Sequence, residues 1–299
     1  MTRPSACETC GSKNWSLVHS GLIRNGAFGN KSQGEVYRCG DCQVDRLDES
    51  NCLKEESYET EEYRNSLKQG LSTTDFFKHA DPIQIHNLSA LRPFCIREKK
   101  IADIGAGGGS FLDQVASLAK EVIAIEPTRM YQSSLENRGY KVFDYTVDAL
   151  EKHRGQLDFV SAFQVIEHVR NPKEFIAEAL DLLKPKGKLI LSTPNRDDIL
   201  TKLLPREFSQ FFYRTQHRWY FDESSLLRCF KEAASAKAPP PSFKFRHTFG
   251  MSNAMGWLRD RQPIGDERLE GINEIADDLW ASFLNGTKQS DTIYIIAEK

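Results

Sequence analysis

Asp103-Ile-Gly105-Ala106-Gly107-Gly-Gly109 joins a short apolar run, residues 101–104, to a helical apolar pattern at Phe111, Leu112, Val115, Leu118 and Ala119. Glycines at this density let the backbone turn at positive φ and let a ligand approach the N–H groups with no Cβ in between. The N–H groups that open the following helix face the same point. Phosphate-binding turns read much the same way, so the glycines alone leave the ligand open. Asp103 narrows the choice, because a carboxylate just before the turn repels a pyrophosphate and suits a cation. The next apolar run, residues 121–125, ends in Glu126, where a carboxylate can accept both hydroxyls of a ribose. Two other sets offer different chemistry. Cys7-x-x-Cys10 and Cys39-x-x-Cys42 have the spacing of two knuckles, flanked by Gly11 and Gly40, that offer four thiolates to a structural zinc. Iron in the same place, or four free thiols, are the alternatives. Glu167 and His168 follow the apolar run 157–163, and the ordinary pKa of an imidazole suits His168 to proton removal.

These residues need elements to hold them. Residues 157–163 read as a central parallel strand buried on both faces, and ligands of an open α/β sheet gather beyond the carboxyl ends of such strands. Ser110 is expected to cap the helix after the glycine turn, with Asp113 in the capping-box position. A helix over 129–137 stops at Gly139, and a strand follows over 141–145. Asn171 and Pro172 start the next helix, whose buried face is Phe175, Ile176, Ala179, Leu180 and Leu183. A strand over 188–193, a helix over 223–230 capped by Asp222, and strands over 243–248 and 291–297 complete the set. Near the N-terminus, 15–23 and 35–38 read as strands around a loop at 25–30. Residues 48–80 read as a helical connector carrying Tyr58, Tyr63, Phe76 and Phe77, and Pro82 as the opening of a helix to about residue 91. Cys52, Cys95 and Cys229 have no partner by spacing.

Taken in order, Asp103-x-Gly105-x-Gly107-x-Gly109, Glu126 and Asp148-Ala149 resemble the class I methyltransferases that use S-adenosylmethionine, over roughly residues 80–299. The run Val165-Ile-Glu-His-Val169 and the strand ending in Thr193-Pro-Asn195 resemble the small-molecule type of ubiquinone biosynthesis. The resemblance implies an α/β, Rossmann-like sheet of seven strands, the last two antiparallel, behind a small N-terminal zinc ribbon. It implies a cofactor site made by Asp103, Gly105, Ala106, Gly107, Glu126, Asp148, Ala149 and Gln164, with the adenine at Asp148-Ala149. A segment before the first strand often covers the cofactor in this class, which makes Tyr58, Tyr63 and Arg64 lid candidates. In resembling O-methyltransferases a Glu-x-x-Glu-His motif and a later His hold a divalent metal. Here Gln164 replaces the first Glu, leaving Glu167, His168 and His217, and the loss of a carboxylate weakens hard-cation binding. With or without metal, these three are expected to meet at the acceptor hydroxyl.

The expected organisation is a ribbon over 1–47, a connector or lid over 48–80, and a methyltransferase domain over 81–299 with acceptor-side insertions at 199–216 and 251–286. The chain has 40 basic and 42 acidic residues, so bulk charge gives no polyanion surface. No apolar run reaches membrane-spanning length and the first residues lack a signal-peptide core, so a cytoplasmic protein without a membrane partner is expected. The segment Asn253-Ala-Met-Gly256-Trp257-Leu258 and the ribbon resemble methyltransferases of sugar, polysaccharide and secondary-metabolite tailoring, which favours a sugar acceptor. RNA is the rival, supported by Arg206, Arg214 and Arg218 and opposed by the neutral charge. A scaffold that binds cofactor and recruits a partner through its ribbon is the third reading. Lone tryptophans more often fill cores than stack on sugars, so Trp257 reads either way.

Overall fold

The computed structural model describes residues 4–66 and 72–299, so the first residues of the ribbon and part of the 48–80 connector lie outside the described residues. Eleven strands are found among the described residues: β1 Trp15–Arg24, β2 Lys31–Cys39, β3 Asp45–Leu47, β4 Lys100–Ile104, β5 Glu121–Ile125, β6 Lys141–Phe143, β7 Leu157–Phe163, β8 Leu183–Pro194, β9 Trp219–Tyr220, β10 Ser242–Arg246 and β11 Thr292–Glu298. Seven of them form one sheet in the order β10-β11-β8-β7-β4-β5-β6. Neighbours from β8 through β6 are parallel, whereas β11 runs antiparallel to both β8 and β10. The expected α/β, Rossmann-like sheet with an antiparallel end is therefore present.

Alternate residues of each strand feed two apolar layers, as a period of two requires. Ala102, Ile104, Ile123, Ile125, Val160, Ala162, Leu189 and Leu191 pack on one face with the helices Thr146–His153, Pro172–Leu182 and Glu223–Ala233. Ile101, Val122, Ala124, Phe159 and Ile190 pack on the other with the helices Thr73–Leu91, Ser110–Val115 and Arg129–Asn137. Helices on both faces explain why these strands read as unbroken apolar runs. Strand order reverses at β4, with β5 to one side and β7 to the other, and this opens a crevice at its carboxyl end.

Two expected starts differ. Pro82 sits inside the helix Thr73–Leu91, which begins nine residues earlier, where the Ser72 side chain accepts the Asp75 N–H. The proline costs one internal hydrogen bond, and a helix long enough to cover the sheet tolerates that loss. Ser110 does not cap its helix. Gly109, at φ 88°, holds the cap position, the Ser110 hydroxyl donates to Asp81 at 2.5 Å, and Asp113 is paired with Arg138.

The N-terminal sheet has four strands in the order β1-β2-β3-β9, so its last strand comes from far along the chain. Asp45 stands opposite Tyr220 and Arg46 opposite Trp219. Arg196, just after β8, donates to Asp45 at 3.0 Å, to the Gln43 carbonyl and to Asp222. Asp45 also accepts Arg38 and the Tyr213 hydroxyl. The cysteine knuckles share an apolar layer with Phe221, Leu226, Cys229 and Phe230. Ile23, Val36 and Leu47 on the inner face of this sheet pack on Leu200, Leu204, Phe208 and Phe212 of the first insertion. The N-terminal sheet is thus packed against the larger sheet's surroundings through β9, Arg196 and the first insertion.

Candidate active site

The glycine turn bends at φ 73° for Gly105 and 53° for Gly107, conformations that an L side chain rarely adopts. It is also crowded: a Cβ on Gly105 would lie 2.5 Å from Val165 and one on Gly107 would lie 2.7 Å from Phe76. Glu126 is buried and accepts the N–H of Gly107 at 2.7 Å and of Thr128 at 2.9 Å, one on each oxygen. Each oxygen keeps a second lone pair for a hydroxyl. Asp103 is buried and accepts the Ser161 hydroxyl at 2.6 Å. Burial, opposed by that bond, raises its pKa from 3.8 to about 7. A cavity of about 1000 Å³ runs from Asp103, Gly105, Ala106, Gly107 and Glu126 past Gln164 to His168 and on to Trp257.

Asp148 and Ala149 fall outside that cavity wall. The Asp148 carboxylate is turned back to accept the Tyr145 N–H as part of a helix cap, and Ala149 is buried in the core. Asp144, Tyr145, Thr146 and Val147 line the cavity instead. β6 ends at Phe143, two residues sooner than its apolar pattern suggests, and the wall moves with it. Tyr58, Tyr63 and Arg64 of the connector line the cavity from the other side. The Tyr58 carbonyl is held by the Thr128 hydroxyl at 2.7 Å.

Beyond β7 the structure gathers Glu167, His168 and His217, with ligating atoms all within 4.8 Å of one another. Gln164 makes the turn at φ 57°, unusual for a residue with a side chain, and its N–H is tied to the Ser192 carbonyl at 3.0 Å. The Glu167 carbonyl accepts the N–H groups of Arg218 and Trp219 at 2.8 and 3.1 Å, which brings β9 and His217 to it. His168 Nδ1 lies 2.6 Å from the Gln216 carbonyl, so that nitrogen carries the hydrogen and Nε2 keeps its lone pair. Nε2 is 3.9 Å from Glu167. Burial drives the His168 pKa down to about 4 and that of His217 well below the ordinary range, and raises Glu167 to about 8. Both Glu167 oxygens and His217 Nδ1 are buried without a hydrogen-bond partner among the described residues.

A family described as "Methyltransferase domain" matches residues 76–234, just over half of the chain. This chain belongs to it. It is an S-adenosylmethionine-dependent methyltransferase. The ubiquinone biosynthesis O-methyltransferase of Shewanella pealeana is 30% identical over 193 residues, which is 55% of this chain and 80% of that protein. The enzyme of the same name from Xanthomonas axonopodis pv. citri is 35% identical over 125 residues, 39% of this chain and 51% of that protein. With that second relative the chain spans about half of the relative's length. The crystal structure of a SAM-dependent methyltransferase from Archaeoglobus fulgidus superposes with a TM-score of 0.52 at 14% identity, over 75% of this chain and 97% of that one. At that identity the likeness speaks for the fold.

In this methyltransferase the far end of the cavity is aromatic, walled by Phe208, Phe211, Phe212, Phe249 and Trp257. Trp257 is 3% exposed and takes Phe208 and Phe211 edge-on at 4.9 and 5.2 Å. The three phenylalanines of the first insertion sit on or beside short helices, Ile199–Leu203 and Ser209–Phe212, which the unpatterned sequence did not reveal. Of the arginines that suggested RNA, Arg218 is buried and paired with Glu49, Arg206 is exposed, and only Arg214 lines the cavity. At the opposite end of the ribbon, the Sγ atoms of Cys7, Cys10, Cys39 and Cys42 lie within 4.8 Å of one another. Gly11 at φ 76° shapes the first knuckle, but in the second the positive φ falls on Gln43 at 62° and not on Gly40. No helix among the described residues is long and apolar enough to cross a membrane.

Proposed function

We propose that this methyltransferase methylates a hydroxyl of a small organic acceptor seated between the His168 loop and the aromatic wall. The observation that carries the reading is the His168 tautomer. Its Nδ1–H is committed to Gln216, and its Nε2 lone pair is free beside Glu167 where the cofactor and acceptor halves of the cavity meet. S-Adenosylmethionine, when bound, supplies a methyl group already activated by its sulfonium. The crowded glycine turn and the Glu126 oxygens suit the ribose, and Asp103 suits a cationic amino group. The protein's own work is then alignment and proton removal. Tyr58, which donates to the Gln216 carbonyl at 2.8 Å, fixes the carbonyl that fixes the imidazole. Burial keeps His168 unprotonated, and a proton arriving on Nε2 faces Glu167. Gln164 and Ala106 line the route, and residues 144–147, which line the cavity where Asp148 and Ala149 do not, suit the adenine.

A second reading keeps the same residues and adds a divalent metal. The unpartnered oxygens of Glu167 and the unpartnered His217 Nδ1 are costly to bury, and a cation held by Glu167, His168 and His217 satisfies all three. Such a metal would lower the pKa of a hydroxyl on it. A zinc held by Cys7, Cys10, Cys39 and Cys42 is a different matter, a closed structural site. Sγ pairs at 3.6 Å and 3.5 Å match the spacing of about 3.8 Å that zinc–sulfur bonds of about 2.3 Å give in a tetrahedron. The aromatic wall suits a planar acceptor better than the sugar that the 253–258 segment favoured.

The test is a methyl-transfer assay with phenols, catechols and sugars, on wild type and on His168→Ala, with metal analysis of the same protein. The expected result is O-methylation, with turnover reduced about 10²-fold or more in the variant while cofactor affinity holds. A variant with full turnover on its best acceptor would remove the base assignment. About one zinc per chain is expected from the cysteines, and a second metal from the other site under the second reading.

A further inference from the structure

β1 ends at Arg24, and Arg24 forms a parallel bridge to Arg214 of the first insertion. Backbone bonds pin the pair on both sides, Arg24 N–H to the Tyr213 carbonyl at 2.9 Å and Thr215 N–H to the Arg24 carbonyl at 3.0 Å. Residues paired in this way send their side chains to the same face, and like charges there repel. Neither guanidinium has an ion-pair partner among the described residues, and the Nε of each is buried without a hydrogen-bond partner. Burial lowers the pKa of both, and for Arg24 the second cause is Arg214 itself. Arg214 lines the cavity, and the Arg24 guanidinium lies 4.4 Å over the ring of Phe211, which also lines it. Glu167 acts on Arg214 electrostatically without forming an ion pair with it, and two largely buried cations side by side with no ion-paired acid are unfavourable unless something negative arrives. The buried arginines nearby do have acids: Arg196 has Asp45 and Asp222, Arg46 has Glu8 and Glu49, and Arg218 has Glu49. Arg24 and Arg214 have none among the described residues, and Arg214 is the one of the two that lines the cavity.

We propose that Arg214, backed by Arg24, is the binding site for an acidic group, carboxylate or phosphate, carried by the methyl acceptor itself. The inference rests on the acceptor reading above and narrows it to a ring that bears both a hydroxyl and an anion. Guanidinium groups suit this, because their fork of donors meets a carboxylate or phosphate with two parallel bonds. The aromatic wall from Phe208 to Phe212 takes the ring, and the trio at His168 takes the hydroxyl. The anion thus sets which hydroxyl of the acceptor reaches the methyl group.

The experiment is calorimetric titration of full-length, zinc-loaded protein saturated with S-adenosylhomocysteine, using phenol, benzoate and phenyl phosphate as probes. Benzoate or phenyl phosphate is expected to bind at least about tenfold tighter than phenol, as a charge-assisted contact predicts, and the better of the two identifies the acidic group. Arg214→Met and Arg24→Met should each erase that preference while binding S-adenosylhomocysteine as wild type does. Thermal shift supplies the folding control: the acidic probe raises Tm in wild type and leaves both variants where they are. Equal binding of the three probes by wild type, or a preference that survives in both variants, overturns the proposal while leaving the methyltransferase reading intact. Failure of wild type to bind S-adenosylhomocysteine at all would instead remove the reading beneath it, and the proposal with it.

Discussion

Replacing Asp103 by Asn should make the empty protein more stable and the enzyme worse, and the structure sets the size of the effect. Asp103 is buried at the end of β4, with Ser161 as its one hydroxyl donor and Glu126 nearby as a like charge. Its pKa stands at about 7 in the fold against an ordinary 3.8. A carboxyl that holds its proton more tightly when folded withdraws stability as pH rises. The loss is absent below about pH 3.8, grows through the interval, and levels off above about pH 7. Three pKa units and a fraction correspond to about 4 kcal/mol at the plateau, as an order of magnitude. Asn keeps an acceptor for Ser161 and cannot ionise, so the variant should escape the loss. Urea unfolding of the ligand-free proteins between pH 5 and 8 measures it: wild-type stability should fall by about 2–3 kcal/mol relative to Asp103→Asn over that range. Cofactor affinity should move the opposite way. A cationic amino group needs the ionised carboxylate, so wild-type binding should strengthen as pH rises to about 7, whereas the variant binds weakly at every pH. Parallel pH curves for the two proteins, in stability and in affinity alike, would show that Asp103 is not the group that titrates.

Glu126→Ala removes the acceptor of the Gly107 and Thr128 N–H groups as well as the ribose contact, and should weaken S-adenosylmethionine binding about 10²-fold by calorimetry. Cys42→Ser should drop zinc below one per chain by metal analysis and cost several kcal/mol of stability, of the order expected for a structural site; an unchanged Tm would argue against the zinc. Arg196→Met removes the ion-pair partner of Asp222 and one of the two arginines on Asp45, which keeps Arg38, and should destabilise by up to about 3–5 kcal/mol in urea unfolding. Cofactor binding should fall with the stability of that variant, because the same residues hold the ribbon sheet against the site.

Much of this was legible in the sequence, for identifiable reasons. β4, β5 and β7 declared themselves because both faces are covered and most positions are apolar. The glycine turn was legible because L side chains rarely take those φ values and a Cβ there would clash with Val165 and Phe76. Glu167 and His168 could be placed because they follow a strand whose end is a ligand crevice. His217 could be named but not positioned: what brings it in is β9, two residues long and without any periodic signal. Asp148 and Ala149 come to the adenine only through the family resemblance, whereas in this chain residues 144–147 line the cavity. Ser110 lost its capping role to Gly109, since a left-handed residue already turns the chain there. The aromatic wall was invisible because Phe208, Phe211 and Phe212 lie in or cap a short helix whose order comes from packing on Ile23, Val36 and Leu47, some 160 to 190 positions away. The arginine pair was hidden for the same reason.

The pairing of β3 with β9 also bears on the order in which the chain can finish folding. Asp45 meets Tyr220 across some 175 residues of intervening sequence, a closure whose entropy must be met before any of its contacts form. During synthesis the ribbon leaves the ribosome first, with its cysteines and two long strands, but its sheet has an open edge at Asp45–Leu47 until Trp219 and Tyr220 emerge. For most of translation the nascent chain therefore carries an uncovered strand edge of the kind that invites wrong partners. Zinc capture by the cysteines, as proposed above, would hold the segment in shape during that interval, and zinc supply during synthesis, and not only in the finished protein, should then set the yield of active molecules.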